Sequence, residues 1–299
     1  MFDSINQLLP LLFVSGIVAI FARRWKLPYT VGLVLVGLVL SLSGWRTGTE
    51  FMSKDILFFL LLPPLIFEAA FHIDLKELRA NAGPIILMAT LGVLVSAVLI
   101  TCIGHYLLHW SLSASALFGI IISATDPVSV IATFKETSLT GRIRLLVESE
   151  SLLNDGTVGV IFFLAVAYFT TGSISPLNGL GSFAISVFGG IGIGCAVAAL
   201  TMLIAGPTED HLVEITFTAI ACFGSFLLAE KVHSSGILAV TAAGLILGNY
   251  GHLGSITDKG REAAVSFWEF AAFLADSVIF LELGIGTASQ HLSPYILIS

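Results

Sequence analysis

Long apolar stretches follow one another along almost the whole of this 299-residue chain, separated by short polar connections. Hydrophobic residues make up 56% of the sequence and charged residues only 11%, and the mean hydropathy is +0.99. A soluble domain carries roughly 25% charged residues, so this composition indicates an integral membrane protein. Because lipid offers the backbone no hydrogen-bond partners, apolar stretches of about 20 residues cross it as helices. We therefore predict an all-α, polytopic membrane protein.

The sequence contains about ten complete transmembrane helices, and an eleventh span begins near Pro294. Their approximate bounds are 5–22, 28–44, 55–72, 83–108, 111–134, 144–169, 179–205, 211–230, 233–250 and 263–286. The connections are too short for a soluble domain, so residues 1–299 form one transmembrane domain in this interpretation. No basic region precedes the first apolar run, so we expect that run to be a retained span and not a signal peptide.

The basic residues are distributed unevenly between the two sides of the membrane. Ten of the 13 lysines and arginines lie in odd-numbered connections, and only Arg46, Lys54 and Lys231 lie in even-numbered ones. Cytoplasmic loops carry the excess of basic residues. The odd-numbered connections are therefore predicted to be cytoplasmic, with the N-terminus outside and the protein in the plasma (inner) membrane.

A faint internal repeat relates the two ends of the chain. The stretch Pro28–Leu40 resembles Ser235–Leu247, and Leu60–Phe67 aligns loosely with Phe273–Phe280. Seven spans separate the members of each pair, and an odd offset inverts the direction through the membrane. Such inverted repeats are typical of secondary transporters. The predicted division is a first repeat at about 5–169, a linker helix at about 179–205 and a partial second repeat at about 211–299.

The fifth span contains a polar interruption formed by Thr125, Asp126 and Pro127. Pro127 lacks an N–H group and disfavours helix at the residue before it, so the helix should break here. Backbone groups freed at that depth are tolerated only where they line a cavity or meet protein. A carboxylate at bilayer depth costs at least about 2.5–3.5 kcal/mol, so Asp126 is a candidate for an ion or proton site, although a simple proline kink is the alternative.

The sixth span places four oxygen-bearing side chains close together. On a helix Ser151 and Asp155 share a face, and Glu150 and Asn154 form the adjacent pair. Oxygen ligands suit hard cations, and no imidazole or thiolate accompanies them, which disfavours zinc or copper. Glu148 lies nearer the end of the span, where we expect it to pair with Arg142 or Arg144.

The roles of the other acidic residues in the spans remain open. Glu68 follows Pro63 and Pro64 in the third span and is predicted to be a structural partner of Asn154 or of an arginine, with a second proton carrier as the alternative. Glu269, Asp276 and Glu282 in the tenth span are left unassigned. The polar residues near span ends are expected to be solvated, and these are Glu214, Glu230 and His105.

Two motifs on consecutive spans resemble a known family. Ala124–Val128 followed by Glu150–Gly156, together with Leu62–Glu68, is similar to the monovalent cation:proton antiporters of family 1, which include NhaP-type antiporters and sodium/proton exchangers. The resemblance covers essentially the whole chain. It implies an inverted-repeat antiporter fold, a core domain that moves against a dimerisation domain, and cation/proton exchange without ATP or a cofactor.

The resemblance also assigns roles to residues. It implies that Asp155 binds cation or proton, and that Asp126, Thr125 and Ser151 complete a sodium site, sometimes with Glu150 through water. Asn154 is associated with electroneutral exchange, and Glu68 and Pro127 belong to the polar structural core. Family members continue through further helices, so we expect this chain to be C-terminally truncated and to transport poorly alone.

The function predicted from these observations is exchange of a monovalent cation, which we expect to be sodium, for protons, by a membrane-embedded homodimer. A potassium/proton antiporter and a non-transporting fragment are the alternatives. A sodium-coupled symporter would need a roomy pocket for an organic substrate, and an intramembrane aspartyl protease would need a Gly-x-Gly-Asp motif, which the sequence lacks. Neither an enzyme nor a nucleic-acid-binding protein is expected.

Overall fold

Helices form every regular element in the part of the chain that the computed structural model describes. That part comprises residues 2–25, 27–43, 56–125, 141–172, 176–206, 208, 210–251 and 256–289. The helices are α1 (Phe2–Trp25), α2 (Tyr29–Leu42), α3 (Ile56–His72), α4 (Leu75–Ala80), α5 (Ala82–Leu107), α6 (Leu112–Ile122), α7 (Arg142–Thr171), α8 (Pro176–Ala205), α9 (His211–Lys231), α10 (Gly236–Tyr250) and α11 (Asp258–Ser289).

Each of the ten predicted spans overlaps one of these helices, and the extra helix α4 lies in the third connection. Among the described residues five helical stretches are long and apolar enough to cross a membrane by length and composition. They are Ala82–Leu107, Arg142–Thr171, Ala184–Ala205, His211–Lys231 and Asp258–Thr287. Large apolar side chains on these helices point outward, with Phe163 75% and Leu203 80% exposed. Such surfaces suit contact with lipid, so the all-helical membrane architecture is confirmed.

The chain divides into two compact units. The first contains α1, α2, α3 up to Leu65, and α11 from Trp268 onward. The second contains the remainder of α3, helices α4 to α10, and α11 up to Phe267. These units do not follow the predicted repeat boundaries, which remain a prediction.

Close backbone contact between α2 and α11 organises the first unit. A Cβ atom on Gly37 would collide with the backbone of Leu281 and Gly284, so only glycine permits this approach. Around the crossing, five buried side chains form a core, and these are Leu11, Val18, Leu33, Leu281 and Ile285. At the other end of α2 the Tyr29 hydroxyl lies 2.6 Å from Ser277 Oγ, and the Tyr29 ring stacks on Phe273.

The second unit holds two groups of packed helices. Helices α8, α9 and α10 pack against one another, and α5 packs against α6. Side chains from α5, α6 and α7 share a buried core, formed by Val93, Ala97, Ile120 and Val158. Helix α7 therefore lies against α6, which brings the two polar motifs of the sequence together.

Candidate functional site

The interrupted fifth span begins with a short helix. Ser111 caps α6 by accepting a hydrogen bond from Ala114 N–H, and the helix ends after 11 residues at Ile122. At 1.5 Å per residue this is about 17 Å, roughly half the hydrocarbon thickness. Ala124 and Thr125 follow without helical structure. The helix thus stops close to the predicted break, while Asp126 and Pro127 lie outside the described residues.

Helix α7 presents the second motif beside this helix end. Asn154 is fully buried, Ser151 is 1% exposed and Glu150 is 9% exposed. Asp155, the next residue, is half-buried. Burial of so many polar groups is costly unless they are hydrogen-bonded, so their partners decide what the site can do.

Thr125 is the centre of a hydrogen-bond network that joins the two motifs. Its hydroxyl donates to Glu150 Oε2 over 3.0 Å, and it accepts a hydrogen bond from Asn154 Nδ2 over 2.6 Å. The same Asn154 amide donates to Glu150 Oε1 over 2.9 Å. The Ser151 hydroxyl donates to the Thr125 backbone carbonyl. Thr125, Glu150, Ser151 and Asn154 are therefore brought together as one cluster.

All the hydroxyl and amide hydrogens of this cluster are donated within it, so the atoms that remain available are oxygen acceptors. Both amide hydrogens of Asn154 are engaged, and the hydroxyl hydrogens of Thr125 and Ser151 are donated as well. Asn154 Oδ1 is buried, and no donor among the described residues reaches it. A cluster of carboxylate, amide and hydroxyl oxygens can stabilise a hard cation or a protonated group.

Glu148 pairs with an arginine at the start of α7, as the sequence predicted. Arg144 Nε lies 2.7 Å from Glu148 Oε1, four residues further along the same helix. Arg142 instead donates from Nε to Asn81 Oδ1 over 2.8 Å, which joins α7 to the turn between α4 and α5. Spacing along the helix predicts the first contact, but no local pattern indicates the role of Asn81.

Glu68 lies on α3 with His72 one turn away. His72 Nδ1 is 3.4 Å from Glu68 Oε1 and 2.8 Å from the Glu68 carbonyl oxygen. Because the Asn154 amide already donates to Thr125 and Glu150, it has no hydrogen left for Glu68. On α11, Glu269 is exposed and Asp276 and Glu282 are half-buried.

Two further contacts involve Gly156 and Glu214. A Cβ atom on Gly156 would lie 2.8 Å from Leu238 Cδ2, so glycine next to Asp155 lets α7 approach α10 closely. The expectation that Glu214 is solvated is wrong, because this side chain is only 1% exposed. It faces the start of α11, where Thr257 donates to it.

Comparison with known proteins identifies the family of the chain. The sequence profile of the family described as "Sodium/hydrogen exchanger, transmembrane" matches residues 10–299. The chain belongs to this family. It is therefore an integral membrane protein of a family of exchangers, as the two motifs indicated.

Curated relatives span a greater length than this chain. The Na(+)/H(+) antiporter ApNhaP of Aphanothece halophytica is 37% identical over 293 residues, which are 94% of this chain and 55% of that protein. The low-affinity Na(+)/H(+) antiporter NhaS1 of Synechocystis is 34% identical over 299 residues, 97% of this chain and 56% of that protein. The chain thus spans about half the length of these relatives.

A solved structure has the same fold. The sodium proton antiporter MjNhaP1 from Methanocaldococcus jannaschii superimposes with a TM-score of 0.77 at 22% identity, covering 95% of this chain and 70% of that one. This likeness confirms the predicted antiporter fold.

Proposed function

We propose that the chain exchanges sodium ions for protons across a membrane, without ATP or a cofactor. The observation that carries the proposal is the buried oxygen cluster of Thr125, Glu150, Ser151 and Asn154 at the end of a helix too short to cross the bilayer. Polar groups inside a membrane mark ion and proton pathways. The names of the related Na(+)/H(+) antiporters support sodium as the cation.

In this proposal Asp155 is the group that carries either ligand. It follows Asn154 directly on α7 and is half-buried, so it is accessible to an ion and still partly shielded from solvent. Sodium and a proton compete for the same carboxylate, and each is released on the side where the other is taken up. Thr125, Ser151 and Asp126 supply further oxygen ligands. Glu150 holds Thr125 and Asn154 in place through its two carboxylate oxygens.

The remaining features of the proposal come from charge and resemblance. The excess of lysine and arginine in the odd-numbered connections supports an orientation with the N-terminus outside. The plasma membrane is proposed as its location from the family resemblance. A homodimer is proposed from the family resemblance alone.

Replacing Asp155 by asparagine tests the proposal. The gene's complete reading frame is expressed in an antiporter-deficient bacterium, and the sodium-induced pH change is measured in everted membrane vesicles. We expect D155N to abolish this change, because asparagine can neither take up a proton nor balance the charge of sodium. D258N, which alters the exposed carboxylate at the start of α11, is the matched control and should exchange normally.

Normal exchange by D155N would show that another group carries the ion. Repeating the assay with potassium in place of sodium separates the two cations. An equal or larger response to potassium would replace the sodium assignment with the potassium/proton alternative.

A further inference from the structure

The side chain of Asn249, near the end of α10, holds the segment that joins α3 to α4. Its Oδ1 atom accepts a hydrogen bond from Leu75 N–H, and its Nδ2 atom donates to Ile73 O, each over 2.8 Å. Nδ2 also donates to Leu245 O in α10 itself, over 2.8 Å. Leu75 is the first residue of α4, so its N–H has no partner within that helix. Asn249 therefore supplies a hydrogen bond that α4 cannot supply for itself.

A second asparagine joins the other end of α4 to α7. Asn81 follows α4 directly, and its Oδ1 atom accepts a hydrogen bond from Nε of Arg142, the first residue of α7, over 2.8 Å. Its Nδ2 atom donates to Glu77 O in α4 over 2.9 Å. The six residues of α4, about 9 Å of helix, therefore separate a contact with α10 from a contact with α7.

Helices α7 and α10 also meet directly, at a distance from these ends. The Gly156 backbone lies against the Leu238 side chain, next to Asp155. At 1.5 Å per residue this contact is about 21 Å along α7 from Arg142 and about 17 Å along α10 from Asn249. The two helices run in opposite directions and are joined at two levels, once directly and once through α4. One contact would let α7 pivot, whereas two contacts fix its direction.

Helix α10 is itself held firmly on α3. A Cβ atom on Gly248 would collide with the Phe71 carbonyl oxygen, and one on Gly244 would lie 3.1 Å from Phe67 O. Phe67 and Phe71 are buried, at 0% and 2% exposure. The residue after Gly248 is Asn249, so its amide acts from a helix end that packs closely on its neighbour. All of these residues belong to the second unit.

We propose that α4 is a spacer that fixes the start of α7 relative to α10, and that Asn249 and Asn81 are positioning residues for the carboxylate of Asp155. The inference rests on the proposed function, in which Asp155 carries the ion. Without the spacer, α7 pivots about its contact at Gly156, and its oxygen ligands shift relative to Thr125. Binding sites need their ligands held within about 0.5 Å of the productive geometry, so this shift weakens sodium binding.

The two asparagines differ in whether aspartate can replace them. At position 81 the contact with Arg142 uses only the side-chain oxygen, which aspartate also has. At position 249 the contact with Ile73 O uses an amide hydrogen, which aspartate lacks, and a carboxylate would lie beside that carbonyl oxygen. Leucine has a similar size and removes the hydrogen bonds at both positions. The spacer therefore predicts that aspartate is tolerated at 81 and harmful at 249.

Sodium-induced pH changes in everted vesicles that contain the complete reading frame test this pattern. We expect N249L, N249D and N81L to raise the sodium concentration for half-maximal exchange about threefold or more, with the maximal rate within about twofold. N81D should match the unmodified protein, and so should E77Q, which alters an exposed carboxylate on α4. Normal half-saturation in N249D, equal impairment of N81D and N81L, or a shift in E77Q would overturn the proposal.

Hydrogen–deuterium exchange tests the spacer without any transport. In purified N249L we expect amides to exchange about tenfold faster both around Leu75 and at the start of α7, in residues 142–150. N81L should have the second effect even if N249L does not fold. Faster exchange around Leu75 alone, or at neither place, would contradict the spacer. If both places exchange faster but the unmodified protein moves no sodium, the proposed function fails and the spacer stands.

Discussion

At the scale of single residues, Asn154 connects the two motifs. Its side chain is fully buried and donates to the Thr125 hydroxyl and to the Glu150 carboxylate. Thr125 lies 29 positions earlier in the sequence, beyond the end of α6, so this amide fixes the non-helical segment against α7. Asn154 is therefore a positioning residue for the oxygen cluster.

We predict that N154A lowers the free energy of unfolding by about 1–3 kcal/mol. A hydrogen bond to a charged group contributes roughly 1.5–3 kcal/mol in soluble proteins, and contributions within membranes are smaller. Thermal unfolding in detergent measures the change. T157A is the control, because among the described residues the Thr157 hydroxyl donates to Leu153 O, in its own helix. Equal destabilisation by both variants would contradict the role given to Asn154.

At the scale of helices, two glycine contacts mirror each other. In the first unit Gly37 of α2 packs on the backbone of α11 near Gly284. In the second unit Gly244 of α10 packs on α3, where a Cβ would lie 2.9 Å from Ala70 Cβ and 3.1 Å from Phe67 O. The predicted repeat aligns α2 with α10 and α3 with α11. In each predicted repeat the glycine-bearing helix thus contacts the later helix of the other predicted repeat, and the repeat itself stays a prediction.

We predict that G37A destabilises the protein by about 1–3 kcal/mol, because its methyl group meets backbone atoms of α11 that cannot move aside. The matched control is G16A on α1, where a Cβ has no neighbour within 4 Å. That variant should be neutral or stabilising by up to about 1 kcal/mol, since alanine favours helix over glycine. Chemical unfolding in mixed micelles measures both. A harmless G37A would mean that α2 and α11 do not touch at Gly37.

At the scale of the whole molecule, the distribution of basic residues predicts orientation. Lys76 and Arg79 lie on α4 in the third connection, which is predicted to be cytoplasmic. Val232 lies in the eighth connection, which is predicted to be external, and it is 55% exposed. Single cysteines on the two connections therefore report opposite sides of the membrane.

We expect V232C to react with a membrane-impermeant maleimide in intact cells, and E77C to react only after the cells are permeabilised. Glu77 is exposed on α4, so its lack of labelling in intact cells would reflect its side of the membrane. Cys102, Cys195 and Cys222 are first replaced, to remove background labelling. The reverse pattern would place the N-terminus in the cytoplasm.

Composition and local spacing were enough for the membrane class, the helical architecture and the pairing of Arg144 with Glu148. These features depend on hydrophobic length and on residues four apart on a helix, both of which a sequence displays directly. The two motifs also led us to expect oxygen atoms from neighbouring spans to meet.

Only the tertiary structure decided which groups are partners. Thr125 bridges Glu150 and Asn154, and Glu214 turns inward to Thr257, 43 positions away. Such contacts depend on where packed helices cross and how they are rotated. Small residues such as Gly37 and Gly156 set those crossings, and no local sequence pattern specifies which helix they pack against. A buried carboxylate at a helix end looks the same in sequence as a solvated one.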